Sequence, residues 1–449
     1  MTDPRNLRVA VIGAGMGGLG TALAFARKGF KHIDVFETAS NLGFVGAGIQ
    51  MPPNVIRVLD RLGVWEEIGR EATNVKGTSI RQGSTDKELA RVDMPDMEEK
   101  YGYPHCTGHR SSLASGLFNG CKQEPAIQFH FSTSLVSIDL YEPRPVFTVK
   151  PRDGEPYQVE TDVLLAADGI KSVTRTQMMA KLGYVSEAQD TGQAAYRIML
   201  KRSEMEHDPE LRALIDSDTV VRWIGERRHI IAYPVSNKQI YNISTTQPDD
   251  NFAAATNATY TTKGSKSAML GVFADFCPLV HRMLDLVPNG EVCEWKLRTH
   301  KPLPTWVLGA VALVGDACHP TLPHLSQGAA MAIEDGAVLA ECLSRVPLPS
   351  DHGDAAQTAA AVNRALKVYE QLRRDHTYAL VDLAALSGRT LHLGEGKAKE
   401  ERDREFAEHR RNGRVPDKWA SPDVQKMIYS HDCVKETSEK FDKIWATLA

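Results

Sequence analysis

Four stretches of the chain hold residue types whose spacing could do chemistry. The first, GAGMGG at 13–18, sets Gly13, Gly15 and Gly18 in a G-x-G-x-x-G pattern between an apolar run and a helical one. Gly13 permits a tight turn, Gly15 lets the backbone approach a pyrophosphate, and Gly18 lets helix and strand pack closely. The helix that follows offers free N–H groups and a positive dipole end to an anion. Glu37 closes the next strand-like run, HIDVFE, where a carboxylate accepts hydrogen bonds from ribose hydroxyls. That acid argues against a 2′-phosphate, hence against NADP in this cleft, and leaves NAD and FAD both open. A glycine turn that binds nothing is the bland alternative. Strand, glycines, helix, strand and acid in register speak against it.

The second stretch, DVLLAADGIKSVTR (162–175), runs a buried strand into Asp168 and Gly169, with Ser172 and Arg175 one turn on. Taken alone it reads as an Asp-Gly turn capping a helix. The third, VALVGDACHPTLPHLSQGAA (311–330), takes a short strand to Asp316. It then passes two His and two Pro before a helix that begins at Gln327, Gly328 and Ala329. The fourth, RHIIAYPV (228–235), places His229, Ile231 and Tyr233 on one face, because strand side chains alternate. An apolar floor with two polar handles suits a phenol. A solvated strand position for His229 and simple packing for Tyr233 are the competing readings. Arg197 and Arg222 are candidates to pair with a substrate carboxylate, since Arg binds carboxylates bidentately.

The elements that position these residues follow from pattern. LRVAVI (7–12) reads as a buried parallel strand, and with the glycine turn, helix and HIDVFE it makes a βαβ unit. Residues 52–68 read as one helix after its prolines, with Val55, Leu59 and Leu62 on a stripe. Residues 75–94 read as a hairpin and 109–121 as a helix; 191–247 is strand-rich. Beyond a Pro/Gly-bearing linker at 344–354 the chain is mostly charged amphipathic helix. Parallel-strand segments at the start, near 163 and near 311, with antiparallel-looking blocks between them, predict one discontinuous α/β domain interrupted by a β-rich one.

In order and spacing, GAGMGG, ADGIKSVTR and GDACHPTLPHLSQGAA, with Arg110 in HRSSL, resemble the class A flavoprotein aromatic hydroxylases, the group containing salicylate and hydroxybenzoate hydroxylases. The resemblance covers most of residues 7–345, and YEQLRR (369–374) resembles the family's C-terminal helix. It implies a hydroxybenzoate hydroxylase-like α/β fold. A discontinuous Rossmann-like FAD-binding domain would occupy 1–74, 106–182 and 291–345. A β-rich substrate domain (75–105 and 183–290) would be inserted in it, and 346–449 would form a C-terminal helical region. By the same resemblance Gly13, Gly15, Gly18 and Glu37 hold the ADP half of FAD. Arg110 lies near its pyrophosphate, Asp168 belongs to a motif serving FAD and nicotinamide, and Asp316 contacts the ribityl–pyrophosphate region. Gln327, Gly328 and Ala329 would turn helix N–H groups toward the flavin's pyrimidine edge, where the reduced form carries negative charge.

A His and a Tyr at the spacing of His229 and Tyr233 touch the ring hydroxyl in related hydroxylases, so His229 is expected to help remove the phenolic proton. Pro323 and His324 are the other catalytic candidates: Pro323 to shape the peptide above the flavin, His324 to point into the pocket or cap the turn. His319 is assigned to structure. LPH at 322–324 resembles the salicylate hydroxylases, whereas 3-hydroxybenzoate 6-hydroxylases usually carry Gln where Pro323 stands; this departure weighs against 6-hydroxylation. The implied activity is hydroxylation of a phenolic aromatic acid, salicylate- or hydroxybenzoate-like, with oxidative decarboxylation. O2 and NADH or NADPH, a transient reductant, are consumed. The rivals are a same-fold enzyme hydroxylating or epoxidising a larger secondary metabolite, and a flavin-binding scaffold without turnover.

Composition narrows the partners. A net charge of −4, with 42% hydrophobic and 24% charged residues, is ordinary for a soluble globular protein and gives no footing to nucleic acid or an anionic membrane. No apolar run reaches the roughly 18 residues needed to span a bilayer. The first residues lack a signal pattern. Seven Cys, odd in number and without CxxC spacing, predict a reducing, cytoplasmic location, no disulfides and no metal site. The expected partners are a small aromatic substrate and O2, with the chain a monomer or homodimer.

Overall fold

The apolar run at the N-terminus is a strand, Arg8–Ile12, because parallel neighbours flank it on both sides. These are Val163–Ala166 and His32–Phe36, and the sheet continues to Val311–Leu313 on one side and Ile127–His130 on the other. A short antiparallel edge, Val307–Leu308, completes six strands. The inner strands are buried along nearly their whole length, as a sheet covered on both faces requires. The computed structural model describes residues 3–43, 47–252, 261–290, 292–348, 354–412 and 421–448.

Two helices lie against each other on this sheet, Met16–Arg27 and Gly328–Ser344. Their small residues set the spacing. A Cβ on Gly17 would stand 3.1 Å from that of Ala332, and one on Gly336 would be 2.6 Å from Thr21. The prediction of one helix over 52–68 needs correction. Gly63, at φ +72°, breaks it into Pro53–Arg61 and Trp65–Gly69, while Val55, Leu59 and Leu62 are all buried as the stripe required.

The second large sheet has eight strands in the order Thr261–Lys263, Cys293–Thr299, Gln189–Lys201, Ile240–Pro248, Arg228–Val235, Thr219–Gly225, Gly77–Gln82 and Glu88–Asp93. The pairing is antiparallel except between Thr219–Gly225 and Gly77–Gln82. One face is apolar: Tyr196, Ile198, Trp223, Ile230, Ala232, Tyr241 and Ile243 are buried in one cluster with residues of the helices Pro209–Asp216, Lys266–Val272 and Pro278–Asp285. Of these helices Pro209–Asp216 falls within 191–247, where the expectation was strand alone. The opposite face carries the alternate residues, which turn toward the first sheet.

The C-terminal part is helical: Ala355–Leu391, Lys397–Asn412, Pro422–Tyr429 and Cys433–Thr447. The long helix is fastened from beneath by a buried ionic knot. Arg373, 1% exposed, lies 2.8 Å from Glu334 and 2.8 Å from Asp335 of the helix Gly328–Ser344. Asp335 also accepts the Gly315 N–H at 3.0 Å and binds His319 at 2.6 Å. Burial opposes its charge, but His319 and Arg373 together hold its pKa down to about 2. No helix among the described residues is long and apolar enough to cross a membrane.

Candidate active site

The glycine turn is the tightest piece of the site. Gly13 adopts φ +94°, and a Cβ there would lie 2.6 Å from the Ala167 carbonyl oxygen. A Cβ on Gly18 would fall 1.9 Å from the Gly13 oxygen, so the helix can start this close to the strand only with glycine. Around Gly15 nothing lies within 4 Å of the Cβ position, and the residue lines a cavity of about 380 Å³. Glu37 is half-buried at the end of its strand, its carboxylate accepting the N–H groups of Ala14 and Ala39 at 2.7 Å each. It braces the turn from below, a role its spacing alone did not disclose.

Asp168 and Gly169 follow the next strand. Asp168 accepts the Thr174 N–H at 3.1 Å through Oδ2, while Oδ1 is buried without a hydrogen-bond partner. Ser172 caps the helix that follows, as its Oγ accepts the Arg175 N–H at 2.8 Å. The Arg175 guanidinium donates to the Ile170 carbonyl at 2.7 Å and the Ala317 carbonyl at 3.4 Å, tying this motif to the loop that holds Asp316.

Arg110 and Asp316 are both ringed by protein, yet both are accessible, because what they face is the cleft. Burial raises the Asp316 pKa, opposed by His319, Arg110 and Arg175; burial lowers that of Arg110. Gly328 and Ala329 line the same cavity at the start of their helix, after Ser326 turns through φ +56°. Gln327 turns away: its side chain is buried and accepts a hydrogen bond from Asn54 at 3.0 Å.

The far wall of the cavity is a face of the eight-stranded sheet, laid out in rows by register. His229 stands opposite Thr246 and Tyr233 opposite Asn242. Between them Ile231 stands opposite Ser244, which in turn faces Arg197. All seven line the cavity. Arg197 forms no ion pair among the described residues; its guanidinium rests 5.2 Å from the centre of the Trp295 ring. Burial, then the nearby Arg110, lowers its pKa. Asn242 accepts the Gly48 N–H at 2.6 Å and leaves Nδ2 buried and unpartnered. Tyr233 is buried and its pKa raised by burial, so its hydroxyl stays protonated and can donate a hydrogen bond at neutral pH.

Pro323 lines the cavity, but His324 does not. His324 is buried behind His229, their ring centres 5.4 Å apart, with neither ring nitrogen hydrogen-bonded. Burial drives its pKa down to about 3. Of the candidate residues, Gly15, Arg110, His229, Tyr233, Asp316, Pro323, Gly328 and Ala329 thus meet at one cavity. Gly13, Gly18, Glu37, Asp168, His324 and Gln327 stand behind its wall. Asn242, Ser244 and Thr246 were missed, although their polar types at every second position of YNISTTQ were the available signal.

A cradle that a side chain on Gly15 would fill and an Asp316 without an ion pair among the described residues, both on the cavity, with an orphaned carboxylate oxygen on Asp168 behind its wall, fit a flavin dinucleotide. A family model described as an FAD binding domain matches residues 6–384, and the chain belongs to that family, within the class A flavoprotein aromatic hydroxylases. The protein is an FAD-dependent aromatic monooxygenase that takes its electrons from NAD(P)H. It is 30% identical over 433 residues to the FAD-dependent monooxygenase OpS4 of Beauveria bassiana, covering 95% of this chain and 96% of that one. It is 30% identical over 346 residues to a 3-hydroxybenzoate 6-hydroxylase of Polaromonas naphthalenivorans, covering 76% and 80%. The solved substrate complex of a salicylate hydroxylase shares the fold, with a TM-score of 0.75 at 23% identity over 96% of this chain and 97% of that one.

Proposed function

We propose that the enzyme hydroxylates a phenolic aromatic acid, salicylate- or hydroxybenzoate-like, at the carboxyl-bearing carbon with loss of CO2. The observation that carries this reading is the arrangement of one sheet face: a guanidinium and an amide donor that have no carboxylate or hydrogen-bond partner, respectively, among the described residues, with a phenol and an imidazole, around the apolar Ile231. Arg197 and Asn242 would take the carboxylate, Ile231 the ring, and His229 and Tyr233 the hydroxyl. Pro323 on the cavity wall is consistent with a salicylate hydroxylase-like loop.

Gly13, Gly15, Gly18 and Glu37 would hold the ADP half of FAD, with Arg110 and Asp168 near the pyrophosphate and Asp316 at the ribityl chain. Gly328 and Ala329 would present helix N–H groups to the flavin ring, with Gln327 fixing that turn through Asn54. When bound, the flavin carries electrons from NAD(P)H and passes one oxygen atom of O2 to the ring. The chain's own part is to orient the ring, exclude water and move one proton. His229, kept neutral by burial, accepts the hydroxyl proton through Nε2, and the resulting phenolate ring is more electron-rich.

An NADH- and NADPH-oxidation screen over mono-hydroxybenzoates, scoring hydroxylated product against hydrogen peroxide, tests the reading. A hydroxybenzoate should accelerate NAD(P)H consumption and release CO2 with product. If only larger polycyclic phenols are turned over, the second reading, a bulkier metabolite, replaces it. His229→Ala should keep FAD and consume NAD(P)H while yielding mostly peroxide; wild-type product yield would remove His229 from the chemistry.

A further inference from the structure

Gln50, from the strand Gly48–Met51, lines the cavity but has no part in the chemistry above. Three contacts fix its place. Asn242 lies over Gly48, two residues back on the same face, where a Cβ would stand 2.4 Å from the Asn242 Cγ. Gln50 pairs in register with Thr107, and the Thr107 hydroxyl donates at 2.6 Å to the carbonyl of Pro234, next to Tyr233. Behind the wall, Gln50 Oε1 lies 3.1 Å from Nε2 of His105.

His105 decides which way the Gln50 amide faces. Its ring is 2% exposed and meets that of Tyr429 edge-on, centres 5.8 Å apart. Burial brings its pKa down to about 4, so at neutral pH the ring is uncharged and holds one proton. Its Nδ1 is buried with no hydrogen-bond partner among the described residues. A proton there would be an orphaned buried donor, whereas a bare lone pair costs less. The proton therefore sits on Nε2 and is donated to Gln50 Oε1, which leaves the Gln50 NH2 turned to the cavity. Asn242 is locked in the same sense, since its Oδ1 accepts the Gly48 N–H and Nδ2 is left over. With Arg197, three side chains offer the ligand hydrogen-bond donors alone.

We propose that Gln50 is a specificity-determining residue, selecting a carboxylate over its neutral counterparts on the substrate, and that His105 is the residue that positions it. The proposal rests on the aromatic-acid reading above. A carboxylate offers acceptors only and meets all three donors. A carboxamide turns its own NH2 against one of them and leaves a buried donor unpaired. The preference needs the Gln50 NH2 held forward, because an amide free to turn would satisfy either ligand.

The test uses the FAD-loaded enzyme and each mono-hydroxybenzoate against its carboxamide: salicylate against salicylamide, then the meta and para pairs. Kd is read from the flavin absorbance change on binding. Wild type should bind at least one acid more tightly than its amide. Gln50→Leu should cut that ratio at least about 10-fold, the low end for a lost charge-assisted hydrogen bond. Gln50→Glu, which meets the ligand with a carboxylate, should turn the ratio in favour of the amide. His105→Phe keeps the bulk of the ring but frees the Gln50 amide, so the ratio should fall there too. In the double variant Gln50→Leu/His105→Phe it should match Gln50→Leu alone. A merely structural role would weaken acid and amide alike and leave the ratio unchanged. A wild-type ratio in the Gln50 variants overturns the selection and spares the aromatic-acid reading; a wild-type ratio in His105→Phe alone removes His105. A wild-type enzyme that binds no hydroxybenzoate, or none better than its amide, sinks both. Should Gln50→Leu lose FAD, Gln50→Glu and His105→Phe carry the decision.

Discussion

At the scale of single residues, the site is a set of polar groups left open on a wall that is otherwise satisfied. Arg197 is the sharpest case, since a guanidinium stacked on Trp295 and walled in by protein is already desolvated and positioned for an anion. Arg197→Lys should raise KM for a hydroxybenzoate roughly 10- to 100-fold, as expected from losing charge-assisted hydrogen bonds worth about 1.5–3 kcal/mol. The maximal rate should change less, because His229 and Tyr233, the residues proposed to meet the ring hydroxyl, are untouched; steady-state kinetics separates the two. The buried histidines carry a second consequence. Their folded pKa values lie below 6.5, near 3 for His324 and 4 for His392, so the unfolded chain binds more protons as pH falls below 6.5. Stability should be full above that value and decline toward the folded values. Urea midpoints measured from about pH 7.5 to about pH 5 should fall, and less steeply in His324→Leu.

At the scale of elements, the glycine turn separates what folding needs from what the cofactor needs. Gly18 sits against the Gly13 carbonyl, so Gly18→Ala forces helix and strand apart and should cost both FAD and thermal stability. Gly15 meets nothing, so Gly15→Val should fold and melt like wild type yet bind FAD at least about 10-fold more weakly, a loss of roughly 1.4 kcal/mol. Equal melting losses in the two variants would contradict this division; flavin fluorescence titration and thermal melts read it. The fourth strand of the eight-stranded sheet, Ile240–Pro248, shows the same economy. Its odd and even positions serve an apolar core and a polar cavity, and period-2 alternation does both with one element.

At the scale of the whole molecule, the C-terminal helices are fastened to the helix Gly328–Ser344 through the Arg373 knot and to the eight-stranded sheet through His392. Asp335 shares itself between Arg373, His319 and the Gly315 N–H, so the loop that carries Asp316 is held by a helix more than fifty residues later. Arg373→Ala would leave Glu334 and Asp335 buried beside a missing cation, and should destabilise the protein by about 3–5 kcal/mol in urea unfolding. FAD affinity should fall with it, since the Asp316 loop loses its anchor. Unchanged stability would mean that water enters and replaces the guanidinium.

Much of this was legible in the chain itself. The glycine spacing and the strand before it predicted a tight strand-to-helix turn, because backbone sterics are local properties of a few residues. Alternation in RHIIAYPV put His229 and Tyr233 on one face for the same reason: pleating is local. What the linear order could not hold was which distant groups meet. That Glu37 braces Ala14, that His324 stands behind the cavity and that Asn242 joins Tyr233 were decided by strand register between segments far apart in sequence. The contact of His229 with His392 spans 163 positions, and only the packing of the last helices against the sheet could make it, because a hydrogen bond depends on distance in space and carries no trace in local pattern.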